Sequence, residues 1–94
     1  MRVVISGTAR TDLQNIQRWI ARDNPKRALS FVRELREQIR GLARWPNRFP
    51  AKEEADPSIR RLSYRGYRIF YRVSDSSVEV IEVHHGSRDA ADFR

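Results

Sequence analysis

The fold is decided by residues 24–44, whose sequence is NPKRALSFVRELREQIRGLAR. Asn24 is a preferred N-cap residue, and Pro25 at the first helical position gives up no hydrogen bond, so a helix is predicted to begin here. Apolar residues recur at the helical period out to about Arg44, and we expect them to be core: Ala28, Leu29, Phe31, Val32, Leu35, Ile39 and Leu42. Trp45-Pro46 is predicted to end the helix, because a residue before proline is disfavoured in α geometry.

A strand and a shorter helix are predicted upstream of this segment. Residues 3–5 are a β-branched run that fits a strand, and either Thr8 or Thr11 can cap the helix that follows. The apolar positions of that helix recur at helical spacing and are Ala9, Leu13, Ile16 and Ile20, with Trp19 beside them. The helix is expected to end near Asp23, and so short a connection to the next helix predicts an antiparallel αα-hairpin.

Three strands are predicted downstream, after a proline-rich loop over residues 46–57. They cover residues 59–63, 67–73 and 78–83, and Tyr64-Arg65-Gly66 forms the turn between the first two. The apolar residues of 78–83 fall on both faces, which predicts a central strand buried on both sides.

Together these elements predict an α+β domain of two layers over residues 1–94, with the αα-hairpin packed on a small, mostly antiparallel sheet. In residues 67–73, Tyr67, Ile69, Tyr71 and Val73 share one face, and Arg68, Phe70 and Arg72 share the other. We expect the helices to cover the first face. The second face, with its arginines, is then the natural place for a binding groove.

Composition excludes several classes of protein. The 94 residues contain no cysteine, so disulfides, thiolate zinc sites and thiol nucleophiles are excluded. No apolar run approaches the ~18 residues of a membrane span, and residues 1–7 are too short for a signal peptide. We therefore expect a cytoplasmic protein with no membrane association.

The charge points to an acidic partner. Nineteen Lys and Arg against 12 Asp and Glu give a net charge of +7, and all but two of the basic residues are arginine. Between Pro57 and Val73 there is no acid, and aromatic residues alternate with five arginines: Arg60, Arg61, Arg65, Arg68 and Arg72. Such a segment can bind phosphate and stack on bases, or form a protein–protein hot spot.

Most catalytic constellations are absent from the sequence. There is no Gly-rich phosphate loop, no metal-ligand spacing and no serine elbow, so we predict no catalytic residue, metal or cofactor. His84 and His85 are adjacent on a strand and point to opposite faces, so they cannot chelate one metal together. Either could act as a general base near neutral pH, or simply make polar contacts at a strand end.

The order and spacing of six short segments are typical of one family of bacterial proteins. They are Ala9-x-x-Asp12-Leu13-x-x-Ile16, Asn24-Pro25-x-x-Ala28-x-x-Phe31-Val32, Leu42-x-x-Trp45-Pro46, Arg61-Leu62, Gly66-Tyr67-Arg68-Ile69-x-Tyr71-Arg72-Val73 and Val83-x-His85-Gly86-Ser87-Arg88-Asp89. The chain resembles the RelE/ParE superfamily of type II toxin–antitoxin toxins over nearly its whole length. The resemblance implies an αα-hairpin on an antiparallel sheet.

The resemblance leaves two mechanisms open. RelE-like toxins cleave mRNA in the ribosomal A site with lysines, arginines and a C-terminal tyrosine, whereas ParE-like toxins poison DNA gyrase. Arg61, Arg68 and Arg88 match cationic positions of the RelE type, but Ile59 replaces a second lysine, and the terminus offers Phe93 and Arg94 instead of tyrosine. Arginine is a poor proton acceptor, and the remaining bases, His84, His85 and Glu82, lie away from the family's positions. We therefore expect a ParE-like gyrase inhibitor that acts by binding, with ribosome-dependent mRNA cleavage as the alternative and a generic nucleic-acid binder as a third.

The resemblance also implies partners and a role in plasmid stabilisation. The natural inhibitor is expected to be a cognate acidic antitoxin, ParD-like, whose C-terminal segment wraps the helices and the sheet as it orders. The complex could contain a toxin dimer within a hetero-oligomer. Candidate contacts with gyrase or the antitoxin are the five arginines between Arg60 and Arg72, together with Arg88 and, secondarily, Trp45 with the loop that follows it.

Overall fold

The computed structural model describes residues 1–47, 49 and 58–86, which form two helices and a four-stranded sheet. The elements in chain order are β1 (Arg2–Ile5), α1 (Gly7–Ala21), α2 (Pro25–Gly41), β2 (Ile59–Tyr64), β3 (Tyr67–Val73) and β4 (Ser77–His85). Most of the predicted loop over residues 46–57 lies outside the described residues. The predicted α+β architecture is confirmed.

The sheet has the strand order β1-β4-β3-β2. β2 pairs with β3 and β3 with β4 in antiparallel fashion, and β1 pairs with β4 in parallel. The prediction of a mostly antiparallel sheet is therefore confirmed. β4 is an inner strand that joins the N-terminal strand to the β2–β3 hairpin.

Both helices pack on the same face of this sheet. The core combines the apolar positions of α1 and α2 with alternate residues of three strands, and its largest fully buried side chains are Leu13, Leu35, Ile39, Leu42, Ile69, Tyr71, Val78, Val80 and Val83. The side chains of β3 alternate as predicted, since Tyr67, Ile69 and Tyr71 are buried against the helices and Arg68 and Phe70 are not.

The predicted N-cap is correct for α2 and wrong for α1. The Asn24 side-chain oxygen accepts a hydrogen bond from the Arg27 N–H at 3.0 Å, which confirms the predicted cap of α2. The predicted cap of α1 at Thr8 or Thr11 is wrong. Ser6 is the N-cap, and its hydroxyl accepts from the Ala9 N–H at 3.0 Å. Ser6 keeps the extended backbone of the preceding strand, so it occupies the position where a cap side chain can reach the first turn.

Two details of the helical prediction need correction. Leu29 is 58% exposed, because it lies on the side of α2 turned away from the buried positions Ala28, Val32 and Leu35. α2 also ends at Gly41 rather than near Arg44, and α1 ends at Ala21. A turn follows Gly41, a poor helix former, so the helix stops before the proline that was expected to end it.

The prediction that β4 is buried on both sides is wrong. Its apolar residues change from even to odd positions because the β3–β4 ladder contains a bulge: Tyr71 pairs with Val80, and Phe70 pairs with Glu82. Ile81 is the extra residue. Val80 and Val83 are consequently both buried on the helix side, although they are three positions apart and an unbroken strand would place them on opposite faces.

The β2–β3 turn has two residues with positive φ angles. Arg65 (φ 45°) and Gly66 (φ 86°) both lie in the left-handed region, as a two-residue type I′ turn requires. The Gly66 carbonyl accepts a hydrogen bond from the N–H of Gly86, and a Cβ on Gly86 would lie 2.8 Å from that oxygen. Gly86 therefore fits against the turn only because it has no side chain.

Candidate functional site

The sheet face turned away from the helices, here called the outer sheet face, is built from alternate residues of three strands. In one row Arg61 pairs with Phe70 and Phe70 with Glu82, and in the next row Ser63 pairs with Arg68 and Arg68 with His84. The residues of this face are Ile59, Arg61, Ser63, Arg68, Phe70, Arg72, Glu79, Glu82 and His84.

Two arginines of the outer sheet face, Arg61 and Arg68, are distinguished by their surroundings. Both are half-buried, as is Phe70: Arg61 lies directly across from Phe70 in the same row, and Arg68 lies in the next row. Within residues 1–47, 49 and 58–86, neither guanidinium has an acidic partner. A guanidinium that is partly withdrawn from water without a counter-ion is well suited to bind an anion.

Arg72 is paired on the same face. Its Nη1 lies 4.0 Å from a Glu79 carboxylate oxygen on β4, and its Nε donates to the Ser58 hydroxyl at 3.1 Å. A carboxylate of the neighbouring strand thus offsets part of the Arg72 charge. Arg72 therefore contributes less free positive charge than Arg61 and Arg68.

A histidine and a carboxylate lie beside these arginines. The His84 Nε2 is 2.9 Å from Glu82 Oε2, and the His84 ring packs at 5.3 Å between centroids against Phe70. The expectation that His84 and His85 point to opposite faces is confirmed, because His85 packs edge-on against the buried ring of Tyr67 at 4.9 Å.

Arg65 belongs to a different cluster, at the hairpin turn. Glu34 on α2 accepts hydrogen bonds from Arg27 and from the Tyr64 hydroxyl, and Arg65 Nε lies 3.7 Å from the same carboxylate. The Arg27 and Tyr64 hydrogen bonds hold the pKa of Glu34 at about 2, well below its ordinary value. Arg65 is therefore committed to a structural network that joins α2 to the turn.

Arg60 lies on the helix side of the sheet. Its guanidinium donates to the carbonyl of Phe49, and its cross-strand neighbour is the buried Tyr71. Tyr71 donates to the carbonyl of Pro46 at 3.1 Å, and burial raises the pKa of its hydroxyl. Arg60 and Tyr71 thus anchor the segment after α2 rather than the outer sheet face.

Trp45 lies away from both arginine clusters. It is 61% exposed and lines an open cavity of about 570 Å³ with Arg44, Pro46 and Asn47. Arg88, the last of the predicted contact residues, lies outside the described residues. Of the seven residues predicted to bind a partner, the structure therefore gathers Arg61, Arg68 and Arg72 on one face.

A second cationic surface was missed from the sequence. Residues 7–45 contain nine basic and four acidic side chains. Four of the exposed or half-exposed arginines of α1 and α2 have no acidic partner in the described part of the chain. With two exposed apolar residues they define what we call the outer helical surface: Arg18, Trp19, Arg22, Leu29, Arg33 and Arg36. The spacing of Leu29, Arg33 and Arg36 along one side of α2 was the signal that could have revealed it.

The described residues carry little else that points to chemistry. Nowhere in them do three His, Asp or Glu side chains come together as they would around a metal ion. Of their two helices, neither has the length and apolar character needed to cross a bilayer.

Comparison with known proteins places this geometry in one family. The model of the ParE toxin of the type II toxin–antitoxin system, parDE, matches residues 3–90. No curated protein sequence matches significantly. A chain from the chromosomal ParDE toxin–antitoxin system of P. aeruginosa superposes with a TM-score of 0.80 at 20% identity, covering 90% of this chain and 95% of that one.

A second solved structure has the same fold. A chain from a RelBE toxin–antitoxin complex of Mycobacterium tuberculosis superposes with a TM-score of 0.67 at 26% identity, covering 89% of this chain and 95% of that one. The family model spans almost the whole sequence. This chain belongs to the family of ParE toxins of type II toxin–antitoxin systems.

Proposed function

We propose that this toxin inhibits DNA gyrase by binding through its outer sheet face, and that a cognate acidic antitoxin neutralises it. The observation that carries the proposal is the pair of half-buried arginines, Arg61 and Arg68, which lie beside Phe70 without an acidic partner in the described residues. An arginine–aromatic cluster of this kind is typical of binding hot spots.

The chemistry of the cluster favours binding over catalysis. Arginine stays protonated at neutral pH, so Arg61 and Arg68 can stabilise negative charge but cannot accept a proton. Family membership supports gyrase as the target, since ParE-like toxins are the branch that poisons this enzyme. A gyrase target would place the protein in the cytoplasm.

The outer helical surface supports the antitoxin partner. Its unpaired arginines favour an acidic chain, and the exposed side chains of Trp19 and Leu29 offer apolar anchors to a segment that orders on binding. The two solved structures described above come from toxin–antitoxin systems. We therefore propose that the antitoxin covers the helices and extends toward the sheet.

Purified gyrase tests the proposal directly. The wild-type toxin should inhibit supercoiling and trap cleaved DNA, and the Arg61→Ala/Arg68→Ala variant should be roughly 10- to 100-fold less potent, because it loses two partly desolvated cations at the contact. Arg18→Ala/Arg33→Ala is the matched control, since it removes the same charge from the outer helical surface. Equal loss in both double variants would mean that only net charge matters, and an inert wild type would refute the gyrase target.

The Glu82–His84 pair favours one alternative, ribosome-dependent mRNA cleavage. A histidine oriented by a carboxylate can accept a proton, and Arg68 occupies the adjacent position on β3, where it could stabilise a phosphorane. In a translation assay the alternative predicts codon-linked mRNA cuts that His84→Ala abolishes. If gyrase inhibition is the function, mRNA stays intact with both the wild type and His84→Ala.

A further inference from the structure

The bulge in β4 determines which side chains lie on the outer sheet face. With Ile81 as the extra residue, Glu82 lies opposite Phe70 and His84 opposite Arg68. Strict alternation from Val80 would instead place Ile81 and Val83 at those two positions, and Glu82 and His84 would point into the core. The acid–histidine pair beside Arg68 therefore exists only because of the bulge.

Two polar side chains of the segment that starts α1 hold the bulge in place. β1 ends at Ile5, which pairs with Val80, so the next residues of β4 have no strand beside them on that edge within the described residues. The Ser6 hydroxyl donates to the Ile81 carbonyl at 2.8 Å, and Asp12 Oδ2 accepts from the Val83 N–H at 2.9 Å. These bonds replace the ladder that β1 no longer supplies.

The position of Asp12 costs its carboxylate part of its hydration. Burial raises the pKa of its carboxyl, and the hydrogen bond from Val83 and the nearby His84 oppose that rise only in part. The Asp12 carboxylate is therefore partly desolvated while it accepts a hydrogen bond from the Val83 backbone N–H, which distinguishes it from a solvent-exposed acid. Asp12 also lies near enough to Glu82 and His84 to feel their charges.

We infer that Asp12, with Ser6, is a positioning residue for the target-binding face: it fixes the Ile81 bulge and so keeps Glu82 and His84 beside Phe70 and Arg68. The inference rests on the proposed function of that face. Asp12 itself contacts no target. It acts through the backbone of β4, which distinguishes it from Arg61 and Arg68.

The test compares Asp12→Ala with Asp12→Asn and with Asp23→Ala. Asp12→Ala removes the acceptor of the Val83 N–H, Asp12→Asn keeps an oxygen acceptor without the charge, and Asp23→Ala removes an exposed acid near the end of α1. We expect Asp12→Ala to speed Val83 amide exchange at least tenfold, to erase the NOE between the Phe70 and His84 rings, and to weaken gyrase inhibition about tenfold. Asp12→Asn and Asp23→Ala should stay near wild type in all three measurements.

The measurements distinguish failure of the positioning role from failure of the proposed function. Unchanged Val83 exchange and an unchanged Phe70–His84 NOE in folded Asp12→Ala would overturn the inference, and so would a loss of inhibition equal in Asp12→Asn. If Asp12→Ala does not fold, Ser6→Ala carries the same test through the Ile81 carbonyl. A wild-type toxin that leaves gyrase untouched would refute the proposed function, while the NMR measurements would still decide the positioning role.

Discussion

The two layers of this toxin both carry arginine, but they hold it in different ways. On the outer sheet face, guanidinium groups are half-buried and lie in register with an aromatic ring, a histidine and two carboxylates. On the outer helical surface, arginines are mostly exposed and have no acid partner in the described residues. The first arrangement is preorganised for a specific contact, whereas the second attracts any flexible acidic chain that also offers apolar side chains.

The difference suggests that the two surfaces bind different kinds of partner. A face of half-buried residues held in register by the sheet is suited to a large folded target. An exposed helical surface with a tryptophan and a leucine is suited to a partner that folds as it binds, because such a partner can adapt to scattered anchors. Each surface can therefore be weakened separately.

The largest effect expected on antitoxin binding concerns the apolar anchors of the outer helical surface. Trp19→Ala and Leu29→Ala should each weaken antitoxin binding by about tenfold, because each removes an anchor of roughly 1–2 kcal/mol. Both side chains are more than half exposed, at 55% and 58%, so the free energy of unfolding should change by less than about 0.5 kcal/mol.

Calorimetric titration with antitoxin checks this expectation, with Asn15→Ala on the exposed side of α1 as the control. Gyrase inhibition in the absence of antitoxin should be the same in all three variants. If Trp19→Ala and Leu29→Ala bind antitoxin as tightly as wild type, the helical surface is not the antitoxin site and this assignment of partners fails.

A smaller effect is expected at the cluster that joins the two layers. The pKa of Glu34 is held at about 2, below its ordinary value of 4.5, so the ionised carboxylate stabilises the fold above pH 4.5. That contribution is lost as pH falls from about 4.5 toward 2. Glu34→Gln should therefore lower Tm at pH 7, and the gap from wild type should close as the pH approaches 2.

Thermal unfolding followed between pH 7 and pH 2.5 measures this gap. Glu37→Gln is the matched control, since Glu37 pairs only with the neighbouring exposed Arg40 among the described residues. A Tm gap for Glu34→Gln that does not depend on pH would mean that the ionised carboxylate does not link helix and turn.

The smallest effect is expected at the turn. Arg65 adopts φ 45°, a conformation that costs a residue with a Cβ about 1 kcal/mol or more. Arg65→Gly should therefore be about 1 kcal/mol more stable than Arg65→Ala, which loses the same contacts with Glu34 and Tyr64 but keeps the strain. Urea unfolding of both variants measures the difference, and equal stabilities would show that the turn carries no backbone strain.

The sequence allowed the elements and the layer order to be predicted because each depends on local periodicity. The stripe of α2, the cap at Asn24 and the alternation of Tyr67, Ile69 and Tyr71 need no knowledge of distant residues. The bulge at Ile81 could not be predicted in this way, since it depends on the pairing of β4 with β3 and on side chains of Ser6 and Asp12, some 70 positions earlier.

The candidate site was predicted less completely for the same reason. A charge count could find Arg61 and Arg68, but it could not separate them from Arg60 and Arg65, which the fold commits to the Phe49 carbonyl and the Glu34 carboxylate. Leu29 shows the converse. Its place in the hydrophobic pattern predicted core, and only the packing of the helix against the sheet shows that it faces outward.

The parallel pairing of β1 with β4 has a consequence for biosynthesis. β1 is translated first, yet the strand beside it is the last of the four described strands to be translated, and the Ser6–Ile81 contact spans 75 positions. A nascent chain that has not yet emerged as far as His85 cannot close this sheet, so contacts of long sequence separation must form late. Products that terminate before β4 would therefore lack the strand that joins β1 to the β2–β3 hairpin.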